Sequence, residues 1–452
     1  MIAADTIVAI ATPPGRGAVG IVRVSGPETC RLAAAILGRT PAPRRAEYAG
    51  FRDADGGLLD RGLALYFPAP HSFTGEDVLE LQGHGGPVVL DLILRRLVAL
   101  GGRLALPGEF SQRAFLNGKI DVTQAEAVAD LIGAGSAAAA RAAVRSLQGE
   151  FSARIHELQG LLTGLRVRVE ASIDFPDDEV PLVAQRECGS RLAQILAVFD
   201  PLQAAAQRGT RLVEGLTVVI AGEPNVGKSS LLNRLAGDEV AIVTDTPGTT
   251  RDLLRHHVLE GGVPLHLIDT AGLRETVEPV EAEGIRRARA AMRHADLVVY
   301  LVDVSLPQVI DPDAIAERAA TLAPGVPFML VLNKIDLLRE PPVRQDDLPP
   351  PGIRLSAKTG EGLETLRARL RAAAGECAAD AAPLTARRRH LDALRRARAH
   401  LDHAAAVLDD TAAVELFAEE LRLAQRDLGE ITGEMTSDDL LGEIFGSFCI
   451  GK

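Results

Sequence analysis

The chain has 452 residues, 47% of them hydrophobic and 24% charged, and a formal net charge of −12. This is globular composition, long enough for roughly two to four domains, and it excludes a chain held open by its own charge. The acidic balance also excludes attraction of the whole chain to nucleic acid, so any such contact needs a local basic patch.

The N-terminus, MIAADTIVAI, has no basic n-region and carries Asp5, which argues against a secretory signal. No apolar run approaches the roughly 18 residues that would span a bilayer, so no stable membrane insertion is expected. Cys30, Cys188, Cys377 and Cys449 lie far apart with no C-x-x-C spacing. They fit neither a cysteine zinc site nor a disulfide framework, and the chain reads as cytoplasmic with reduced thiols.

In chain order, residues 1–118 read as α+β: TIVAIAT and GIVRVSG are β-branched runs, and VVLDLILRRLVALGG is a helix with a glycine stop. Residues 119–212 are rich in Ala, Leu, Arg, Gln and Glu at helical spacing, with a second helix bent or restarted near Pro201. From 213 to 377 the pattern becomes short buried runs (LTVVIAG, LHLIDT, ADLVVYLVDV, PFMLVLNK) suited to a parallel sheet covered on both faces. The prolines of DDLPPPG, 346–352, mark a surface loop in this stretch. Residues 378–452 are helical again. The fold class expected is therefore multidomain α/β and α+β: an N-terminal α+β domain, a discontinuous helical domain, and an inserted P-loop domain with a mainly parallel sheet.

GEPNVGKSS places Gly222, Asn225, Val226, Gly227, Lys228, Ser229 and Ser230 in a G-x-x-x-x-G-K-[ST] loop between a strand and a helix. Backbone N–H groups in such a loop curl around phosphate oxygens; Lys228 reaches the β- and γ-phosphates and the Ser229 hydroxyl can hold magnesium. TDTPGTTRD follows with Thr244, Thr246, Thr249 and Thr250, the last expected to close on the γ-phosphate and its metal. DTAG contributes Asp269, Thr270, Ala271 and Gly272, and NKID contributes Asn333, Lys334 and Asp336. A carboxylate at Asp336 accepts from guanine N1–H and its 2-amino group, a pair that adenine does not offer. SAK, Ser356, Ala357 and Lys358, completes the base pocket, so the nucleotide expected is GTP.

Leu273 stands where many GTPases place a water-orienting glutamine, and no arginine finger is evident. Asn225 can help ligate a monovalent cation beside the phosphates, or it can shape the loop as an Asx-turn. Glu281 can hold the attacking water, or it is a solvated helix charge. GRGAVG, 15–20, fits a dinucleotide fingerprint, but IVRVSG after it has strand-type residues where that motif needs a helix. RRRHLDALRRARAH, 387–400, carries six arginines and is either a solvated helix face or a contact for a nucleic-acid backbone. In IFGSFCIGK the Cys449 thiol is either a buried anchor or a reactive group whose thiolate fraction Lys452 raises.

The segments DTIVAIATPPGRGAVGIVRVSG, SFTGEDVLELQGHGGP and PGEFSQRAFLNGKIDVTQAEAVADLI, the G-domain motifs and the terminal FCIGK resemble the MnmE (TrmE) family of tRNA modification GTPases over nearly the whole chain. The resemblance implies a homodimer formed through a tetrahydrofolate-binding-like domain at 1–118, a helical domain at 119–212 and 378–452, and a Ras-like G domain at 213–377. It implies a flavoprotein partner, MnmG (GidA), and installation of a carboxymethylaminomethyl or aminomethyl group on C5 of the wobble uridine of certain tRNAs. The carbon donor implied is 5-formyl- or methylene-tetrahydrofolate. By the same resemblance Ser229 and Thr250 hold Mg2+; Asn225, Thr244, Thr246 and Thr249 surround K+; Glu281 orients water; Cys449 acts in uridine chemistry. Arg23, Glu80, Lys119 and Lys452 surround the folate. Pro247 departs from the small residue expected before GTTRD. The alternative is a ribosome-assembly-type GTPase acting as an RNA-binding switch.

Overall fold

The computed structural model describes residues 5–174, 181–237, 255–260, 263–269, 295–305, 321, 325–338, 352–374, 384–408, 414–434, 438–446, 448 and 450–451. Strands are β1 (Ile7–Ile10), β2 (Gly20–Ser25), β3 (Glu47–Arg52), β4 (Leu58–Phe67), β5 (Val78–Gly83), β6 (Arg103–Leu104), β7 (Leu216–Gly222), β8 (Arg255–Glu260), β9 (Val263–Asp269), β10 (Leu297–Asp303), β11 (Phe328–Asn333) and β12 (Gly352–Arg354). Helices are α1 (Thr29–Leu37), α2 (Pro87–Ala99), α3 (Glu109–Leu116), α4 (Val122–Ile132), α5 (Ala137–Leu147), α6 (Glu150–Asp174), α7 (Pro181–Glu214), α8 (Lys228–Gly237), α9 (Leu363–Ala374), α10 (Arg388–Val407), α11 (Val414–Thr432) and α12 (Asp438–Gly446). Two compact units emerge: Met1–Ala129 with Ser146–Ile195 and Arg395–Lys452, and Asp130–Arg145 with Leu196–Leu394.

In the first unit the sheet order is β3-β4-β5-β2-β1-β6, antiparallel except for the β1–β6 pair. Strand alternation sorts the side chains of β1. Val8 joins Val22, Val24, Leu79 and Leu81 beneath α1 and α2, whose Leu32, Ile36, Ile93 and Leu97 are buried there. Ile7 and Ala9 instead pack with Ala105 and Phe110. GIVRVSG is strand β2, so the preceding glycine run is not a dinucleotide fingerprint. Near the C-terminus, Ile444, Phe445 and Phe448 pack with Val122 and Ala125, with Phe445 6.2 Å from Phe115 and 5.6 Å from Phe448 between ring centroids. Burial of those two rings holds the end of the chain against α3 and α4.

A charged network ties the start of β1 to α3. Arg113, with a side chain 4% exposed, pairs with Asp5, Glu76 and Glu109, and Arg103 pairs with Asp5 and Glu109. Hydrogen bonding from Arg103 leads in holding the Asp5 carboxyl below its usual range. Burial alone would push Glu109 up, but hydrogen bonds from Arg103, the Leu106 N–H and Arg113 bring it down.

In the second unit the order is β12-β11-β10-β7-β9-β8, parallel throughout except where β8 meets β9. Val218 and Ile220 pack with Leu231, Leu235, Leu366 and Leu370 of α8 and α9, while Val219 and Ala221 belong to a second cluster with Ile268, Val298 and Tyr300. Both faces are covered, which explains continuous apolar runs in place of alternation. Glu260 on β8 is buried between Arg367 and Arg371 of α9, at 3.1 and 2.6 Å. The helix does not restart at Pro201: α7 runs through it, with Phe199, Leu202 and Ala206 buried around the lost hydrogen bond. The proline-rich stretch 346–351 lies outside the described residues.

Replacing Arg113 by Ala leaves buried Glu109 and half-buried Glu76 beside a missing cation. The expected loss is about 3 kcal/mol, the low end for a broken buried pair, since Arg103 still serves Asp5 and Glu109. Urea unfolding of the variant checks it. Because Asp5 and Glu109 titrate below their unfolded values, their stabilisation is present above those values and is lost as pH falls through the folded ones. The acid limb of stability should therefore be shallower in Arg113→Ala than in the parent.

Candidate functional site

At the C-terminal edge of the parallel sheet, β7 delivers the chain into 223–227 and α8 begins at Lys228. Gly222 (φ 142°), Asn225 (φ 65°) and Gly227 (φ 100°) all have positive φ. Asn is among the few non-glycine types that take this conformation readily. The backbone therefore accounts for an asparagine at 225, whatever its exposed amide binds. Buried Lys228 reaches back across the loop, its Nζ donating to the carbonyls of Gly222 (2.9 Å) and Glu223 (2.8 Å). Ser229 and Ser230 are exposed in the first turn of α8.

Asn333, 2% exposed at the end of β11, connects this loop to the one that carries Ser356 and Ala357. Its Nδ2 donates to the Val226 carbonyl at 2.7 Å and its Oδ1 accepts from the Ala357 N–H at 2.9 Å. Gly227 is required here, because a Cβ would overlap Asn333 Nδ2. Ser356 Oγ donates to Asp336 Oδ1 at 2.6 Å and accepts from the Thr359 N–H at 3.1 Å. Asp336 is exposed, and its Oδ2 has no partner among the described residues, so one carboxylate oxygen is held and the other is presented. Arg234 of α8 donates to the carbonyl of exposed Lys358 at 2.9 Å.

Lys334 has left-handed backbone (φ 68°), and its ammonium pairs with Asp303 Oδ2 at 2.5 Å. Burial would raise the Asp303 carboxyl, but Lys334 and Ser305 hold it below its usual value. Sequence reasoning missed Asp303. The available signal was a lone acid ending a buried run, LVVYLVD, at the same sheet edge as the P-loop. Asp269 ends β9, adjacent to Ile220 of β7 in register. Thr244, Thr246, Thr249, Thr250, Thr270, Ala271, Gly272, Leu273, Pro247 and Glu281 lie outside the described residues.

In the first unit Arg23 of β2 and Glu80 of β5 are direct cross-strand partners, and Arg23 Nε donates to Glu80 Oε1 at 3.0 Å. Gln82 donates to the other Glu80 oxygen at 3.4 Å. The Arg23 guanidinium lies 5.9 Å from the Phe73 ring centroid and 5.7 Å from that of Phe110, within cation–π range. It also donates to the Gly451 carbonyl at 3.4 Å, bringing the chain end to the same place. A side chain at Gly451 (φ 93°) would overlap the Ile10 carbonyl, so only glycine fits there. Lys119 Nζ donates to the Pro70 carbonyl at 3.0 Å, on the segment that carries Phe73. Cys449 and Lys452 lie outside the described residues. Of the Arg-rich helix, Arg387, Arg396 and Arg398 pair with Asp130, Glu430 and Asp402, which diminishes its free positive charge.

Residues 6–119 match the family of the GTP-binding protein TrmE N-terminus, and residues 122–449 match that of the MnmE helical domain. The chain belongs to the MnmE family. Proteins named tRNA modification GTPase MnmE from Sodalis glossinidius and Methylococcus capsulatus are each 55% identical to it, over 450 and 448 residues, with 99% of both chains covered. One of the same name from Thiobacillus denitrificans is 58% identical over 450 residues, covering 99% of this chain and 98% of the relative. Among solved structures, the G domain of the T. maritima FeoB iron transporter is 27% identical, covering 35% of this chain and 98% of that chain at a TM-score of 0.27. Among the described residues of this MnmE-family chain, no helix is long and apolar enough to cross a membrane.

Changing Asp336 to Asn replaces the presented carboxylate oxygen, the acceptor expected for guanine N1–H, by a group that can donate. GTP affinity should fall at least ~100-fold, while xanthosine triphosphate, with a carbonyl where guanine has its amino group, should gain. Competition binding of the two nucleotides measures the exchange.

Proposed function

We propose that this chain is a potassium-dependent GTPase of tRNA modification, with residues 1–118 as folate-binding and dimerisation domain, 119–212 and 378–452 as helical domain, and 213–377 as G domain. It works as a cytoplasmic homodimer with a flavin-dependent partner of the MnmG type. Together they add a carboxymethylaminomethyl or aminomethyl group to C5 of the wobble uridine of certain tRNAs, taking the carbon from a tetrahydrofolate derivative. The observation that carries this reading is a family match running from residue 6 to residue 449, well beyond the nucleotide motifs.

The residues present fit the implied ions. Asn225 offers an amide oxygen at an exposed bend of the P-loop and Ser229 a hydroxyl in the first turn of α8. Ser229 and Thr250 would hold Mg2+, and Asn225 with Thr244, Thr246 and Thr249 would hold K+. When bound, these cations supply positive charge at the phosphate oxygens, the role an arginine finger fills elsewhere. The protein's own contribution is placement: Asn333 holds the P-loop against the base pocket, Asp336 selects guanine, and Glu281 orients the water that Leu273 cannot.

At the folate site Glu80 is held as an oriented acceptor by Arg23 and Gln82 and suits the amide and amino edge of a pterin. Arg23, Lys119 and Lys452 suit its carbonyls and carboxylates. Arg23 also donates to the Gly451 carbonyl, and Cys449 is the thiol that this reading assigns to the uridine chemistry.

GTP turnover should be much faster in potassium than in sodium at equal ionic strength; equal rates would sink the cation assignment. Cys449→Ser should abolish the modified uridine, read by nucleoside mass analysis, while GTP hydrolysis stays near normal. Persistence of the modified nucleoside would reduce the thiol to a structural role.

A further inference from the structure

Outside both sites, α10 and α11 bring together side chains with metal-ligand chemistry. His400 and His403, three apart, share one face of α10; Glu420 and Asp427, seven apart, share one face of α11. His400 Nδ1 lies 2.6 Å from Glu420 Oε2, and His403 Nδ1 lies 3.9 Å from Glu420 Oε1. One ligand atom from each of the three can be chosen so that all lie within 4.8 Å of one another. The other nitrogen of the His400 ring, Nε2, faces Asp427 Oδ2 at 3.7 Å. Asp427 is fully buried, and that oxygen has no hydrogen-bond partner among the described residues.

We propose that His400, His403 and Glu420 form a binding site for a divalent transition-metal ion of the Zn2+ class, with Asp427 as the carboxylate that orients His400. An ion pair between His400 and Glu420 accounts for the short contact alone. On the far side of the same ring stands the fully buried Asp427, whose Oδ1 lies 3.6 Å from Arg396 and 3.5 Å from Arg426, while its Oδ2 makes no hydrogen bond among the described residues and faces His400 Nε2. A metal-bound histidine characteristically donates its second ring N–H to a carboxylate, and Asp427 stands where that acceptor belongs. Two imidazoles and a carboxylate suit Zn2+, which takes such ligands at about 2.0–2.2 Å in a tetrahedron whose edges are then roughly 3.3 Å. The His400–Glu420 contact would widen and the His403 ring would move in toward the same ion. His403 has the freedom to make that move, being 69% exposed, while His400 is 24% exposed and fixed between two carboxylates. Three protein ligands leave a fourth position for water or another donor. The bound ion would clip α10 to α11, helices that belong to one unit from Arg395 onward.

The test uses full-length protein stripped with a chelator and supplied with excess Mg2+ and GDP, so that the nucleotide site does not take up the probe. Zn2+ is then titrated against a chromogenic chelator, and Co2+ is titrated in parallel for its visible d–d bands. The parent should bind an equivalent of Zn2+ that His403→Ala and Glu420→Gln bind at least ~10-fold more weakly, with the Co2+ bands lost. Asp427→Asn should keep that equivalent at ~10–100-fold lower affinity; unchanged affinity there would overturn the role given to Asp427. The melting temperature should rise with Zn2+ in the parent and not in His403→Ala, whose exposed side chain can be removed without disturbing the fold. His84→Ala, which breaks another histidine–carboxylate pair, with Asp60, is the control and should bind as the parent does. Equal Zn2+ binding by the parent and His403→Ala, or loss of the same equivalent in His84→Ala, would overturn the site.

Discussion

The nucleotide end of this protein depends on a single buried amide. Asn333 uses its donor on the P-loop and its acceptor on the loop that carries Ser356 and Ala357. A carboxylate at that position would have no donor for the Val226 carbonyl, and a leucine would leave both backbone groups unpaired in an apolar setting. Buried polar groups without partners are costly, so the two loops are held at one spacing by hydrogen bonds that water cannot replace. Lys334 and Asp303 brace the same strand end from its other side, and Arg234 ties α8 to Lys358.

A different device organises the first unit, where charge rather than amide hydrogen bonding does the joining. Arg113 and Arg103 gather Asp5, Glu76 and Glu109 from three parts of the chain. The network anchors α3, and α3 supplies Phe110 beneath Arg23. On the far side of the same helix Phe115 meets Phe445, so the terminal segment is positioned by ring packing. The delivery of Gly451 to Arg23 thus follows from the burial of Phe445 and Phe448, and the small glycine lets the backbone pass over β1 at close range.

The acidic net charge takes on a more local meaning in this light. Arginines that read as a basic stripe along 387–400 are in part neutralised by facing or neighbouring carboxylates. A stripe in one dimension becomes an array of ion pairs once the facing elements are in place, which leaves less free charge for phosphate than a count of arginines suggests.

Much was legible in the residues alone. The G-x-x-x-x-G-K-S loop, the NKID and SAK segments and the four apolar runs follow from local rules, because phosphate cradles and doubly covered parallel strands impose spacing and composition on contiguous residues. The strand after GRGAVG was equally readable, from β-branched residues where a helix was needed. What only the tertiary structure decided lies between residues distant in sequence: the pairing of Arg23 with Glu80, the bridge made by Asn333, Asp303 under Lys334, the continuity of α7 through Pro201, and the meeting of His400 and His403 with Glu420. Local pattern sets which backbone a segment prefers. Which side chains from far-apart segments satisfy one another is set by burial, and burial exists only once the sheets and helices have packed.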